Sequence, residues 1–363
     1  MTSADFAEKR AGFPASDSGA SRAVSLWLWC VAGLVFAMIV VGGATRLTES
    51  GLSITEWQPI LGAIPPLNET DWLAAFEKYK QIPQYVALNQ DMTLEAFKSI
   101  YWWEWSHRLL GRLIGIAFAL PLIFFWATGK LKAGTGGKFL GVLALGGVQG
   151  VIGWYMVKSG LVDRIEVSQY RLALHLTTAF AILGLLVWLA LEEWPAMSRD
   201  AGEKTSPAVS RLAAFIVALL LLQVVLGALV AGLRAGLIYN TWPTMDGQWF
   251  PSDYWTTPGY LSFFESHAAA QFDHRLVAYV IGALALMNLW LVRHVGGGRV
   301  LATAIALAAA VFAQMALGIA TLLAHVPLEL GLLHQGGGAI VFALAVAHLH
   351  ATSRAPIRHQ ASA

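Results

Sequence analysis

Eight stretches of the chain are apolar over roughly 18 residues or more, the length a helix needs to cross a bilayer. They are Ala23–Ala44, Leu109–Thr128, Phe139–Val157, Leu172–Leu191, Leu212–Leu233, Leu276–Val292, Val300–Ala324 and Leu330–Ala351, and polar segments separate them. The pattern predicts an all-α membrane protein with eight transmembrane helices. Lys and Arg collect on alternate connections: Lys9, Arg10 and Arg22; Lys130, Lys132 and Lys138; Arg199, Lys204 and Arg211; Arg293 and Arg299; Arg354 and Arg358. By the positive-inside rule that side is cytoplasmic, and both termini belong to it. The opposite loops carry Glu49, Glu56, Glu69, Asp71, Glu77, Asp246, Asp253 and Glu265. Asp5, Glu8 and Asp17 set the N-terminal segment apart from an acid-poor transit peptide. The first helix can serve as its own anchor, and the expected address is a bacterial inner membrane.

Composition agrees with the pattern: 57% of residues are hydrophobic, 13% are charged, and the mean hydropathy of +0.59 belongs to a chain solvated largely by lipid. The net charge of +2 gives no reason to expect nucleic acid as a partner. The single cysteine, Cys30, lies in the first helix, so neither an intrachain disulfide nor a thiolate cluster can be built.

The first outer loop, about 60 residues from Arg46 to Trp105, is long for a simple connection. Two short interfacial helices are expected in it, one over "DWLAAFEKYK" with Thr70 as its cap and one over "LEAFKSIYWWEW". Trp102, Trp103 and Trp105 read as an interfacial belt.

The chain also repeats itself. "HRLLGRLIG" at 107–115 and "HRLVAYVIG" at 274–282 open the second and sixth helices; Gly51-Leu52, Trp57 and Gly62 recur as Gly236-Leu237, Trp242 and Gly247. The third and seventh helices share Gln-x-x-x-Gly (Gln149 and Gly153, Gln314 and Gly318), and the fourth and eighth share Leu-His (Leu174-His175, Leu333-His334). Four matches in one order predict a tandem duplication of a four-helix unit, with both copies in the same orientation. The expected organisation is a tail at 1–22, an N-terminal unit at 23–195 containing the outer loop 46–105, a linker at 196–211, a C-terminal unit at 212–351 and a tail at 352–363.

The repeat selects four of the ten histidines, His107, His175, His274 and His334, two per unit and all toward the outer leaflet. Two imidazoles facing each other across a helical bundle suit the axial positions of heme iron. A single intramembrane histidine can equally be a hydrogen-bonding strut between helices; symmetric placement favours the ligand reading. The remaining histidines, 267, 294, 325, 348, 350 and 359, lack matched partners. Zinc is disfavoured because two imidazoles do not close a tetrahedral site. Arg108 and Arg275 follow two of these histidines, and Arg46 and Arg234 end the first and fifth helices at similar depth. All four are candidates for heme propionates, with snorkelling to headgroups as the alternative. The copies differ three residues before their first histidine, where Glu104 stands in one and Gln271 in the other. Glu can exchange a proton and Gln cannot, so Glu104 is the candidate for chemistry, helix capping being the plainer alternative.

The set "GGATRLTESGLSITEWQPILGAIPP", "EWSHRLLGR", "LALHLTTAF", "NTWPTMDG", "FDHRLVAY" and "LLHQGGG" resembles the heme A synthases of bacterial inner membranes, in their proteobacterial form. The resemblance implies an oxidoreductase that converts a ring methyl of heme O to a formyl group through successive hydroxylations, giving heme A for terminal oxidases. It also implies that His107 and His175 hold heme O beside catalytic Glu104, and that His274 and His334 hold a permanent heme b as cofactor. Heme O synthase, oxidase assembly factors and further copies of the chain are the partners to expect. Cysteine pairs found in the outer loops of some members are missing here. Two rival readings are a diheme b-type electron carrier and a heme carrier.

Overall fold

The computed structural model describes residues 18–132, 134–162, 165–194, 206–295 and 298–353. Most of both expected tails and of the linker lies outside these residues, as do Lys9, Arg10, Arg199, Lys204, Arg354, Arg358 and His359. The helices are α1 (Ser18–Leu47), α2 (Glu69–Tyr79), α3 (Pro83–Leu88), α4 (Leu94–Ala127), α5 (Gly136–Val162), α6 (Gln169–Glu193), α7 (Pro207–Gly232), α8 (Ser262–Glu265), α9 (His267–Val295), α10 (Gly298–Leu323) and α11 (Leu328–Ser353). Among the described residues there is no strand, and α1, α4, α5, α6, α7, α9, α10 and α11 are long and apolar enough to span a membrane. The eight expected helices are therefore all present, each longer than its apolar run.

Helix α4 departs most from expectation. It begins at Leu94, where Thr93 Oγ1 accepts a hydrogen bond from Ala96 N at 3.2 Å, and continues without a break through "LEAFKSIYWWEW" into the apolar run. The separate interfacial helix expected there is the first third of a 34-residue rod. Phe97, Tyr101, Glu104 and Arg108 recur at helical spacing and form one stripe. Phe97 and Tyr101 on that stripe pack with Trp72, Phe76 and Tyr79 of α2. Helix α2 does form over "DWLAAFEKYK", but its cap is Asn68, whose side chain accepts from Asp71 N at 2.9 Å, rather than Thr70. Asn68 has the extended backbone of an N-cap, while Thr70 is already helical.

Helix α1 packs on α4, α4 on α5, α5 on α6, and α6 on α1; α7, α9, α10 and α11 follow the same cyclic order. Contacts of α6 with α7, of α1 with α11, and of α6 with α11 connect the two sets. One continuous apolar core runs through both. Trp27 anchors it in the first set, meeting Phe118, Phe125 and Phe139 at ring-centroid distances of 5.0, 5.5 and 5.9 Å and donating from Nε1 to Ala117 O at 2.8 Å. Between the sets, Phe180 meets Phe342 at 5.7 Å, and Gln335 Nε2 donates to Ile39 O at 2.6 Å. Close approach of α7 to the start of α6 depends on Gly232, where an added Cβ would lie 2.7 Å from the Gln169 Cα. The backbone there cannot yield as a flexible side chain would.

In the second long loop, Tyr239 donates to the Asp253 carboxylate, and Tyr254 donates to Asp273 at 3.1 Å. The bond to Asp253, together with partial burial, pushes Tyr239 up to about 12 from 10.0. Burial, then the Asp273 charge, does the same for Tyr254. Both shifts favour the protonated phenol, so their stabilisation is complete below pH 10 and fades as pH rises through about 12.

Two outcomes are expected. Gly232→Val should lower the thermal midpoint of the detergent-solubilised protein by the equivalent of about 1–3 kcal/mol; an unchanged midpoint would show that α6 and α7 do not need this contact. In an alkaline ultraviolet titration, Tyr239→Phe should remove one late-ionising tyrosine and leave the early phase intact.

Candidate functional site

The four repeated histidines sit on α4 (His107), α6 (His175), α9 (His274) and α11 (His334). The His274 and His334 rings face each other with centroids 6.4 Å apart and planes at 72°. An iron bound between two imidazoles at ~2.0–2.1 Å, the zinc–imidazole distance, would set them about 6 Å apart. His107 and His175 lie within electrostatic range of each other.

Each ring is backed by a glycine of a neighbouring helix. A Cβ on Gly153 would meet His175 Cε1 at 3.0 Å, one on Gly227 would meet His274 Cε1 at 3.2 Å, and one on Gly318 would meet His334 Cε1 at 2.6 Å. At Gly42 the nearest atom is His107 Nε2, at 3.1 Å, so this ring is turned differently from the other three. Gly42 and Gly227 share the chain offset that matches Gly51 with Gly236, and Gly153 and Gly318 belong to the Gln-x-x-x-Gly repeats. The glutamines of those repeats tie down the histidine backbones: Gln149 Nε2 donates to His175 O at 3.0 Å and Gln314 Nε2 to His334 O at 2.6 Å. Gln223 Nε2 donates to His274 O at 2.9 Å. The buried Nδ1 atoms of His175 and His274 have no hydrogen-bond partner. Glycine-backed rings with unspent nitrogens fit a metal-centred planar group, and no three His, Cys, Asp or Glu side chains converge as a metal cluster among the described residues.

Glu104 is 2% exposed and points along the α4 stripe toward the long loop. Its Oε2 accepts from Ser53 Oγ at 2.8 Å and Ile54 N at 2.7 Å, and its Oε1 from Arg108 Nε at 3.1 Å and Nη2 at 2.6 Å. Arg108 goes on to Ile54 O at 2.8 Å and Glu56 O at 2.9 Å. The capping alternative does not apply, because Glu104 is well inside a continuous helix. It shares a broad face with His107, yet the two diverge by about 60° around the axis. Gln271 occupies the corresponding place and also joins loop to arginine, with the opposite polarity toward the loop: Nε2 donates to Ala235 O at 2.7 Å and to Ile238 O at 2.5 Å, and Oε1 accepts from Arg275 Nη2 at 2.5 Å. One scaffold thus carries a carboxylate in the first set and an uncharged amide in the second.

Arg46 and Arg234 occur together rather than one per site. Glu166 binds both, at 3.0 Å and 2.6 Å, and Arg234 also binds Glu49 at 2.6 Å. These two guanidinium groups clamp the two helix sets to one another. Arg108 and Arg275 stay one residue from a histidine, engaged with the loop on their own side.

A cavity of ≈ 410 Å³ lies beneath the first long loop against Arg108 and Arg112, and one of ≈ 260 Å³ beneath the second against Arg275 and Tyr279. The sequence pattern marks Gly153 and Gly318 through the repeat but not Arg112, Ser53, Gly42 or Gly227; offset matching along the repeat would have found these two glycines. The pattern also leaves unmarked a buried network in the second set, where His348 Nε2 lies 2.8 Å from Asn288 Nδ2 and its Nδ1 2.9 Å from Thr303 Oγ1.

A family model described as "COX15-CtaA: Cytochrome oxidase assembly protein" matches residues 25–346. The chain is 53% identical over 340 residues to a protein of Beijerinckia indica named heme A synthase, covering 92% of this chain and 94% of that one. It is 52% identical over 331 residues to the heme A synthase of Mesorhizobium japonicum, with 91% and 90% covered. Against that of Caulobacter vibrioides it is 50% identical over 334 residues, with 91% and 96% covered.

Glu104→Gln keeps an acceptor for Arg108 but turns an amide nitrogen toward the Ile54 N–H, so it should keep the fold and loosen the loop by about 1–3 kcal/mol. Glu104→Ala leaves Arg108 without its carboxylate and should cost about 3–5 kcal/mol, as breaking a buried ion pair does. Denaturant unfolding and protease cleavage within residues 48–93 measure both; equal behaviour of the two variants would disprove the scaffold.

Proposed function

The chain belongs to the COX15-CtaA family of cytochrome oxidase assembly proteins, and from that membership we propose that it is a heme A synthase, an oxidoreductase acting on heme O. The observation that carries the division of labour is the exchange of Glu104 for Gln271 between two otherwise matched histidine sites. The first set, with α1, α4, α5 and α6, forms the substrate unit, and His107 and His175 hold the heme O iron. The second set forms the cofactor unit, where His274 and His334 would hold a b-type heme. Such a heme, when bound, supplies a one-electron store beside the substrate unit. The positive connections support a reading with this chain's termini on the cytoplasmic side of a bacterial inner membrane and the sites toward the opposite face.

Turning a ring methyl into a formyl group removes four electrons and four protons. Two rounds each pass two electrons to an electron acceptor outside the chain, release two protons and add a hydroxyl from water, and loss of one water from the resulting diol leaves the aldehyde. The protein's part begins with positioning: Gly42 and Gly153 leave room behind the rings, and Gln149 fixes the backbone of His175. Glu104 supplies a fixed carboxylate whose oxygens already receive four hydrogen bonds. That geometry suits stabilisation of an electron-poor carbon at the ring edge better than repeated proton uptake. The loop packed on α4 keeps bulk water from this edge.

Coexpressed with a heme O source, the wild type should yield heme A on pigment extraction. Glu104→Gln should retain bound heme O while its conversion falls on the order of 10²-fold; full conversion by this variant would refute the assignment of Glu104. A diheme electron carrier or heme carrier would return the heme unchanged in both. Gly318→Val, whose side chain must displace the His334 ring, should deplete the cofactor heme and leave the first site able to bind.

A further inference from the structure

The two sets differ at a second matched place. In the register that pairs His107 with His274, Arg112 corresponds to Tyr279. Both hold down the loop on their own side: Arg112 donates from Nε to Pro59 O at 2.8 Å and from Nη2 to Gln58 O at 3.0 Å, and Tyr279 Oη accepts from Trp242 Nε1 at 2.9 Å. Arg112 brings a charge where Tyr279 brings none; in the second set the site's guanidinium without a carboxylate among the described residues is Arg275, one turn earlier, whose Nε is buried without an acceptor. Arg46 and Arg234 are neutralised by Glu166, and Arg108 by Glu104, but Arg112 has no carboxylate among the described residues. Its Nη1 is buried without an acceptor. The guanidinium borders the ≈ 410 Å³ cavity one turn along α4 from Arg108. The two carboxylates lining that cavity are engaged, Glu56 by Lys78 at 2.6 Å and Asp71 by Leu67 N at 3.3 Å. A buried, uncompensated guanidinium nitrogen beside a cavity calls for an oxyanion, and a fork already fixed by two carbonyls presents it without further ordering.

We propose that Arg112 and this cavity form a carboxylate subsite that takes a propionate of the substrate porphyrin. The inference rests on the heme reading of the first set.

The test is a titration of the purified protein, its resident heme in place, with hemin and with hemin dimethyl ester, followed by the Soret band. Wild type should bind the free acid roughly 10- to 100-fold more tightly than the diester, the range expected for one charge-assisted hydrogen bond. Arg112→Gln should bring that ratio near one, Arg112→Lys should give an intermediate ratio, and Tyr279→Phe should leave it as in wild type. The spectrum of the resident heme reports folding in every variant. A wild-type ratio retained in both Arg112 variants overturns the subsite. So does a wild-type ratio near one accompanied by phosphatidylglycerol that copurifies with wild type and not with Arg112→Gln, which would assign the cavity to a lipid headgroup. Failure of wild type to bind either form removes the heme reading of the first set as well, so the two failures are told apart.

Discussion

Imidazole nitrogens inside an apolar bundle must find a partner, because an unsatisfied polar atom in hydrocarbon costs several kcal/mol. Four histidines here share a ring backed by a glycine, three of them also have a backbone held by a glutamine, and His175 and His274 each keep a buried Nδ1 without a partner. Helix order, close approach and the placing of the loops all serve to keep these rings where they are. The buried His348 shows the contrasting solution, with both of its nitrogens close to Asn288 and Thr303.

Around that shared frame the two sets have diverged in charge. Glu104 and Gln271 both join loop to arginine, but Glu104 accepts from loop donors while Gln271 donates to loop carbonyls, so the exchange alters electrostatics and reverses the hydrogen bonding to the loop. Arg112 and Tyr279 follow the same logic one turn further along their helices. On the proposed function, two exchanges at the rims of matched sites would be enough to give them different duties.

Much of this was legible in the sequence because hydrophobic length and internal repetition are robust signals. Eight apolar runs gave eight helices, and the repeat singled out His107, His175, His274 and His334. What it did not give was direction. Glu104 and His107 are three residues apart, which places them on one face but not toward one target, and only the packing of α2 reveals that the carboxylate leans toward the loop. The start of α4 was misjudged because polar residues in "LEAFKSIYWWEW" mark the edge of the lipid, not the end of the helix. Arg46 and Arg234, one near each helix end, looked like one guanidinium per site; they converge because Glu166, remote in sequence, lies between them.

Helix α4 has 34 residues and so measures about 51 Å, against a hydrocarbon layer of about 30 Å. Roughly a third of it must therefore stand clear of the acyl chains, and that overhang carries the aromatic contacts on which α2 rests. A helix bends only by disturbing its own hydrogen bonds. Any inclination that a thinner or thicker bilayer imposes on the submerged part is passed to the exposed end, which moves as the long arm of a lever. Membrane thickness thereby gains mechanical access to the roof over Glu104.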